Sequence, residues 1–292
     1  MIYSICGHNH SNRDICVKIW QLLDVWYNNL QSVMPNGVPN NIKDAKELYS
    51  NDIQYVTFNL EYNLQNQNSQ WQKRSFAAKL KQIVCIMTGC SMEQLEDNDF
   101  KNTKVPEWLE FYKITYRYSS LTITDDAFVI CGDNIHNKLS DLRKNPLISN
   151  VEYGRYTATY RELLQYLGIE VFRSQISSDI HINMLFDSYT CQLKGDDFAN
   201  CCIDEIEGKK ECNHFPNWLI SDVRFLNEAK AIKDRGGKII KIKSPVNDVG
   251  NHQSETELEQ IEADYIINNN GTIENLIRDI ESIMIAEKII KI

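Results

Sequence analysis

The sequence lacks the long apolar runs and the excess of positive charge that mark two large classes of protein. No uninterrupted apolar stretch in the 292 residues reaches the roughly 18 residues of a membrane-spanning helix. The formal net charge is −9, which argues against a broad surface for a nucleic-acid backbone. We therefore expect a soluble protein that binds small molecules, with neither a membrane nor nucleic acid as a partner.

Signals for secretion and for a disulfide framework are also missing. Residues Met1–Cys6 show no basic region followed by an apolar run, so no signal peptide is predicted. The nine cysteines are an odd number scattered along the chain, which favours reduced thiols and a cytoplasmic location. Zinc is the alternative for one polar segment, although its spacing lacks a C-x-x-C pair; the candidate ligands are Cys191, Cys201, Cys202, Cys212 and His214.

Strands that alternate with helices are present at both ends of the chain. Ile2–Cys6 predicts a strand, followed by a polar loop and a helix over Ile15–Leu30. A second buried strand ends near Asp222, and a helix closing at Gly236-Gly237 leads to a third strand, Lys238–Ile242. This alternation is typical of an α/β fold with a mainly parallel sheet and helices on both faces. The strands ending near Cys6 and Asp222 are expected to be neighbours.

The middle of the chain predicts helices with recognisable ends. Ser75–Thr88 has helical apolar spacing and closes at Gly89, a C-cap residue. Capping boxes at Ser91/Gln94 and at Thr159/Glu162 predict two further helix starts, the second helix ending at Gly168. Other expected elements are a helix over Ile180–Tyr189, a strand over Ala263–Ile267, a helix from Thr272 through Met284, and insertions at 113–150, as an exposed hairpin, and at 190–216.

Asp222 and Arg224 are the first candidates for chemistry. They end a predicted strand that runs straight into a helix, and the carboxyl edge of an open α/β sheet is where ligands bind. A carboxylate suits a metal-bound water, and a guanidinium suits a phosphate in bidentate contact. The alternative is an ion pair without a ligand.

The loop after the first strand is a weak match to a phosphate-binding loop. Such loops read G-x-x-x-x-G-K-[ST], and their backbone amides cradle phosphates at a helix N-terminus. Gly7 holds the first position, but Asn12, Arg13 and Asp14 stand where glycine, lysine and serine or threonine belong. Arginine keeps the positive charge, yet its planar head does not replace a lysine without consequence.

Several short motifs occur together in an order that changes this interpretation. The sequence resembles the viral and phage deoxynucleoside monophosphate kinases, a branch of the P-loop nucleoside monophosphate kinase fold. The matching pieces are Ser75–Lys81 with Thr88-Gly89, Leu95–Asp97 with Phe100–Asn102, Thr159–Gly168 with Arg173, Trp218–Ala229 with Arg235–Gly237, His252–Glu255, and Asp264–Thr272.

The resemblance implies a single three-layer kinase domain. Its core would be residues 1–33 and 217–288, and a helical region at about 70–190 would bind the acceptor. The reaction implied is transfer of the γ-phosphoryl group of ATP to a deoxynucleoside monophosphate with Mg²⁺ as cofactor. In this family the loop resembles G-x-x-x-x-G-K-D-T, so Asp14 matches it, whereas Asn12, Arg13 and Ile15 depart from it.

The resemblance also implies residue roles, each with a plainer alternative. Catalysis would use Arg13, Asp222 and Arg224, and the metal would lie against Asp14 and Asp222. ATP would contact Gly7, Ser11, Asn12, Arg13, Asp14, Asn269 and Gly271. The monophosphate would contact Phe76, Lys79, Tyr160, Arg161 and Arg173. The alternatives are core packing for the aromatic residues, helix-surface charge for Arg161 and Arg173, and a simple turn at Asn269 and Gly271.

Two other functions stay open at this point. The divergent loop is compatible with an impaired descendant that binds nucleotide or a protein partner without phosphoryl transfer. A P-loop kinase for another small acceptor is the other alternative, and the motifs at 75–102 and 159–173 argue against it. The preferred base is not predicted, and a homodimer is left open.

Overall fold

The computed structural model describes residues 1–7, 13–29, 69–109, 111–118, 124–130, 134–193, 214–243 and 253–290. They fall into two compact units. The first unit combines Met1–Phe76 with His181–Ile292, and the second unit is Ala77–Ile180.

Strands and helices are numbered in chain order. The strands are β1 (Ile2–Gly7), β2 (Trp71–Arg74), β3 (Phe111–Tyr118), β4 (Thr124–Ile130), β5 (Ile148–Tyr156), β6 (Asn217–Val223), β7 (Lys238–Lys243) and β8 (Tyr265–Asn268). The helices are α1 (Arg13–Asn29), α2 (Ala78–Thr88), α3 (Met92–Glu96), α4 (Asn98–Lys101), α5 (Asn134–Lys144), α6 (Tyr160–Gln165), α7 (Ile180–Phe186), α8 (Leu226–Lys233), α9 (Gln253–Gln260) and α10 (Ile273–Ala286). A π-helical segment, Tyr166–Ile176, follows α6.

The first unit is built on a parallel sheet with the strand order β2-β6-β1-β7-β8. The central strand, β1, pairs with β6 through Tyr3 and Leu219 and with β7 through Tyr3 and Lys238. The predicted mainly parallel sheet is confirmed, and so is the expectation that β1 and β6 are neighbours. Because every pair is parallel, the carboxyl ends of all five strands meet at one edge.

Side chains of β1 alternate between two hydrophobic layers. Tyr3 and Ile5 pack on one face with Trp20 of α1 and with apolar residues of α10. Ile2 and Cys6 pack on the other face with residues that include Ile232 of α8. Successive side chains of a strand point to opposite faces of the sheet, so both sets are buried only when helices cover both faces. The three-layer α/β architecture expected from the sequence is therefore present.

Buried polar contacts join α1 to the strand at the end of the sheet. Asp24 of α1, which is buried, accepts hydrogen bonds from Ser69 Oγ at 2.8 Å and from the backbone N–H of Gln70 at 2.9 Å. Gln21 Nε2 donates to the Trp71 carbonyl at 2.7 Å. These bonds satisfy polar groups at the start of β2 and hold that strand beside α1.

The second unit combines short helices with an antiparallel sheet of order β4-β3-β5. Its larger core is formed by Leu80, Val84, Leu95, Val105, Leu109, Phe111, Ala158, Tyr160, Leu163 and Leu167. The predicted C-cap is confirmed: Gly89 is the left-handed C-cap of α2, with φ +78°. The predicted start at Ser75 is wrong, because α2 begins at Ala78 and the polar groups of Ser75 and Phe76 donate instead to Asp222. Capping boxes begin α3 at Ser91 and α6 at Thr159.

Two further predictions for this part of the chain need correction. Residues 113–150 were expected to form an exposed hairpin or insertion, and β3 and β4 do form an antiparallel hairpin. The hairpin is not simply exposed, because β3 also pairs with β5 and Ile114 is fully buried against Ile135 and Leu139. The helix from Thr159 does not end at Gly168. That glycine is buried inside the π-helical segment, which continues the helical path to Ile176. With its flanking residues packed in the core, a helix can pass through a glycine at a modest cost.

The remaining expected elements of the first unit are present with shifted bounds. The helix predicted over Ile180–Tyr189 ends at Phe186, and the last strand begins at Tyr265. Thr272 caps α10 by accepting a hydrogen bond from the Asn275 N–H, as predicted, and α10 runs to Ala286. Within the described ranges, no helix is both long enough and apolar enough to cross a membrane.

Candidate active site

Several of the residues predicted to contact ATP or to take part in catalysis lie at the carboxyl edge of the sheet in the first unit. Gly7 ends β1, and Arg13 and Asp14 open α1. Ser75 follows β2, while Asp222 and Arg224 lie at the end of β6. The strand order places β6 and β1 side by side, and a crevice at such an edge is the usual ligand site of an open α/β sheet.

Asp222 is held by two hydrogen bonds from the residues that follow β2. Its Oδ2 accepts from Ser75 Oγ at 2.6 Å, and its Oδ1 accepts from the Phe76 N–H at 2.9 Å. These two bonds hold the carboxylate in a fixed orientation. A carboxylate oxygen is an acceptor, so Asp222 is a candidate partner for a metal-bound water.

Arg13 lies at the start of α1 with part of its guanidinium group inside the protein. Its Nη1 is buried and forms no hydrogen bond within the described part of the chain. Burial lowers the pKa of Arg13, the charge of Arg224 lowers it further, and Asp222 and Asp14 act in the opposite direction. Arginine nevertheless stays protonated in proteins. An anion would stabilise this partly buried guanidinium, which also feels the positive charge of Arg224.

Glu228 fixes the backbone around Arg224. Its Oε2 accepts from the N–H of Arg224 at 2.9 Å and from the N–H of Phe225 at 3.2 Å. Glu228 is only 3% exposed and lies in the first turn of α8, where a negative charge also interacts favourably with the helix dipole. Glu228 was not predicted as a site residue. An acidic residue in the first turn of a predicted helix is nevertheless typical of a side chain that caps the helix start.

Lys73 forms an ion pair with Asp14 that the sequence analysis also missed. Lys73 Nζ lies 2.7 Å from Asp14 Oδ1, and the two side chains are 46% and 68% exposed. Lys73 has the same strand parity as Trp71, which packs in the core cluster that contains Trp20 of α1. The ion pair between Lys73 and Asp14 could therefore be predicted only once β2 was known to lie beside α1.

The rest of the predicted ATP site is described in part. Gly7 is buried at the end of β1, whereas Ser11 and Asn12 lie outside the described residues. The Asn269 N–H donates to the Lys243 carbonyl at 2.7 Å, which ties the loop after β8 to the end of β7. A Cβ atom on Gly271 would lie 2.3 Å from Asn275 Nδ2, so a side chain there requires Asn275 to move.

Two carboxylates, Asp14 and Asp222, are the candidate metal contacts. No group of three or more His, Cys, Asp or Glu side chains among the described residues is arranged to hold a metal ion. Magnesium usually retains several waters and takes one or two carboxylates together with substrate phosphates, so the two aspartates fit that mode. The zinc alternative stays untested because Cys201, Cys202 and Cys212 lie outside the described residues.

The predicted acceptor residues occupy several environments. Phe76 is 3% exposed and packs against Phe186 in the first unit. Tyr160 is buried in the second unit with its ring 4.7 Å from that of Phe100. Both aromatic side chains thus occupy core positions, as their plainer alternative expected, and contact with a base stays a prediction.

The three predicted acceptor cations all lie in the second unit. Arg161 Nε donates to Asn102 Oδ1 at 3.0 Å, and Arg161 Nη2 lies 3.5 Å from Asn98 Oδ1. Lys79 is exposed on α2, and Arg173 is partly buried in the π-helical segment. Contact of these residues with an acceptor phosphate stays a prediction.

Comparison with known proteins bears on the chain as a whole. Residues 50–280 match the family model described as deoxynucleotide monophosphate kinase. The chain belongs to the deoxynucleotide monophosphate kinase family. It is also 31% identical over 134 residues to a protein of Acanthamoeba polyphaga mimivirus named "Putative deoxynucleotide monophosphate kinase". That alignment spans 44% of this chain and 62% of the viral relative.

The family match divides the candidate site into two parts. Lys73, Ser75, Asp222, Arg224 and Glu228 lie inside residues 50–280. Gly7, Arg13 and Asp14 lie before that range, in the segment whose loop departs from the family pattern. Family membership therefore rests on the strands and helices that follow the loop, and the loop itself needs a separate test.

Proposed function

We propose that the protein is an ATP- and magnesium-dependent kinase that phosphorylates a deoxynucleoside monophosphate to the diphosphate. The observation that carries the proposal is the pair Arg13 and Arg224 at the carboxyl edge of β1 and β6, with Arg13 Nη1 buried and unbonded within the described residues. In a member of this family, the anion that such a pair accommodates is a phosphate of the substrates.

The chain supplies groups suited to hold ATP and its metal. The first turn of α1 offers backbone N–H groups and a dipole that favour phosphate, and Arg13 adds a fixed positive charge. Asp14 and Asp222 would accept hydrogen bonds from waters around a magnesium ion. Magnesium, when bound with ATP, neutralises negative charge on the phosphate oxygens.

The proposed reaction requires little covalent chemistry from the protein. The acceptor monophosphate is already ionised near neutral pH, so no strong general base is needed. Arg224 would hold the transferred phosphoryl group, and Glu228 keeps the Arg224 backbone in place through its bond at 2.9 Å. Asp222, oriented by Ser75 and Phe76, would position water rather than move a proton. Positioning and charge neutralisation are the main sources of catalysis in phosphoryl transfer.

A product assay tests the proposal. The purified protein is incubated with ATP, magnesium and each of the four deoxynucleoside monophosphates, and nucleotides are separated by chromatography. We expect a diphosphate with at least one acceptor. No diphosphate with any acceptor would rule the proposal out.

Nucleotide binding without phosphoryl transfer is the second candidate. It is favoured by Arg13, which occupies the lysine position of the loop and is partly withdrawn from solvent. Calorimetry that shows ATP binding in a protein with no turnover would support it. On this candidate Arg13→Lys restores turnover, whereas on the leading proposal the same substitution changes kcat by less than about tenfold.

A further inference from the structure

The cation that belongs to the phosphate loop is placed unusually in this protein. Lysine serves other phosphate loops as a compact charge on a flexible stem, able to follow the phosphates. Here Arg13 occupies that position, and its Nη1 is buried without a hydrogen bond in the described ranges. A planar, partly buried guanidinium can adjust its position to bound phosphates less than a lysine ammonium can. A mobile cation close to the start of α1 would therefore complement Arg13.

Lys73 is such a cation, and it comes from the neighbouring strand β2. Its Nζ lies 2.7 Å from Asp14 in the first turn of α1, and its side chain is 46% exposed. An exposed ion pair of this kind contributes little to stability. The ammonium ion is therefore held near the helix N-terminus by a contact that a polyphosphate, with several negative charges, can replace.

Other cations at this edge have contacts that restrict them. Arg74 donates to Gln72 Oε1 at 2.7 Å, and its guanidinium lies 5.2 Å from the centre of the Trp218 ring. Lys241 is buried and donates to the Leu258 carbonyl at 3.0 Å, near the end of α9. Lys73 differs because its ion pair with Asp14 is solvent-exposed and lies at the start of α1.

We propose that Lys73 is a further phosphate-binding residue, whose ammonium ion leaves Asp14 and contacts the phosphates when a nucleotide binds. The inference rests on the proposed function in placing nucleotide phosphates at the start of α1, but it does not require that phosphoryl transfer occurs. Strand β2 thereby supplies the mobile charge that other phosphate loops supply from within the loop.

Binding of a fluorescent nucleotide tests this role. The wild type, Lys73→Met and Lys73→Arg are titrated with mant-ATP in EDTA and again with magnesium, and bound mant-ATP is displaced with inorganic tripolyphosphate. Loss of a hydrogen bond between charged groups predicts that K73M binds both probes about tenfold more weakly. Lys73→Arg, which keeps the charge, should remain within about threefold of the wild type.

Lys230 provides a matched control. It forms an exposed ion pair with Asp234 at the same 2.7 Å distance, on α8 of the same unit. Lys230→Met should leave the affinity for both probes unchanged. Thermal unfolding should show that both methionine variants melt close to the wild type, because both ion pairs are exposed.

A double variant separates phosphate contact from simple neutralisation of Asp14. If Lys73 contacts phosphate, K73M/D14N in EDTA remains about tenfold weaker than D14N. Equal affinities for tripolyphosphate in D14N and K73M/D14N would overturn the inference, as would a wild type that binds neither probe.

The two proposals fail in distinguishable ways. Lys73-dependent tripolyphosphate binding without diphosphate formation would contradict the kinase function alone. Diphosphate formation with binding independent of Lys73 would contradict this inference alone.

Discussion

Asp222 shows how one residue serves both the fold and the candidate chemistry. Its two carboxylate oxygens accept hydrogen bonds from Ser75 Oγ and from the Phe76 N–H, so the carboxylate fixes the turn that leaves β2. Asp222 also lies at the carboxyl edge, near the end of β6. A substitution at Asp222 should therefore affect stability and activity together, whereas a change at Ser75 removes only one donor.

Asp222→Asn tests that double role. The amide has one acceptor oxygen and cannot satisfy both donors as the carboxylate does, so we expect kcat to fall by about 100-fold or more. We also expect the free energy of unfolding to fall by about 1–2 kcal/mol. Kinetics with the preferred acceptor and urea unfolding provide the two measurements.

Ser75→Ala is the matched control for that substitution. It keeps the charge of Asp222 and the bond from the Phe76 N–H, so its effect on kcat should be no more than about tenfold. A D222N variant as active as the wild type would contradict a role for the carboxylate.

At the residue scale, the sequence was sufficient for some site residues and not for others. Asp222 and Arg224 were predictable because a strand that runs into a helix places its last residues at the sheet edge. Lys73 and Ser75 were not, because their contacts depend on β2 lying next to β6 and beside α1. That arrangement joins residues that are 59 and 147 positions apart in the chain, Lys73 with Asp14 and Ser75 with Asp222.

Among the elements, α8 is tied to the site through the residues at its start. Glu228 accepts hydrogen bonds from the N–H groups of Arg224 and Phe225 and is buried. Glu228→Gln keeps the size of the side chain but removes its charge. We expect the free energy of unfolding to fall by about 1–3 kcal/mol, and kcat to fall because the backbone that carries Arg224 loosens.

Asp234→Asn is the control on the same helix. Its ion pair with Lys230 is exposed, so both stability and kcat should stay close to wild type. Equal behaviour of E228Q and D234N in thermal unfolding and in kinetics would contradict the role assigned to Glu228.

Glu287 joins three strands at the edge of the sheet opposite to the site. It accepts hydrogen bonds from Tyr3 at 2.8 Å, from Lys238 at 2.6 Å and from Tyr265. Burial alone would raise the pKa of Glu287, but the bonds from Lys238, Tyr265 and Tyr3 outweigh burial and hold that pKa below its usual range. The ionised carboxylate is therefore a source of stability.

The sign of this shift predicts a pH dependence. A lowered pKa in the folded state stabilises the protein above the unfolded pKa, and that contribution disappears as the pH falls through the folded pKa. Glu287→Gln should unfold more easily than the wild type at pH 7, by about 1–3 kcal/mol. The difference should shrink in acid, and a difference that is constant from pH 7 to about pH 3 would contradict the account.

Elements with local signals were predictable, and elements that depend on distant pairing were not. The caps at Ser91 and Thr159 follow from side chains three residues apart, and the cap at Thr272 follows from a threonine just before a helical apolar pattern. The third strand of the β4-β3-β5 sheet was not predicted, because a helix separates β5 from β3 and β4 along the chain. Most side chains of β5 are also exposed, so its sequence shows little apolar alternation. The continuation past Gly168 was missed because tertiary packing outweighed the local signal of glycine.

At the scale of the whole molecule, the negative net charge contrasts with the local charge at the candidate site. The chain carries a formal charge of −9, yet Arg13, Lys73 and Arg224 gather at one edge of a sheet with Asp14 and Asp222. A small group of cations in an otherwise negative protein suits a small anion better than an extended polyanion. The arrangement therefore agrees with nucleotides as substrates.

The family match and the divergent loop lie in different parts of the chain, so a test of function must address both. Residues 50–280 match the family, which supports the proposed reaction, whereas Arg13 lies before that range. A test must therefore show phosphoryl transfer itself, because ATP hydrolysis or nucleotide binding could persist with an impaired loop.

The most direct measurement follows the γ-phosphoryl group. The wild-type protein receives γ-³²P-labelled ATP, magnesium and each deoxynucleoside monophosphate, and labelled products are resolved by thin-layer chromatography. The account predicts label in a deoxynucleoside diphosphate, with an Arg224→Ala control reduced by about 100-fold or more. Label found only in inorganic phosphate, or only in unreacted ATP, would contradict it.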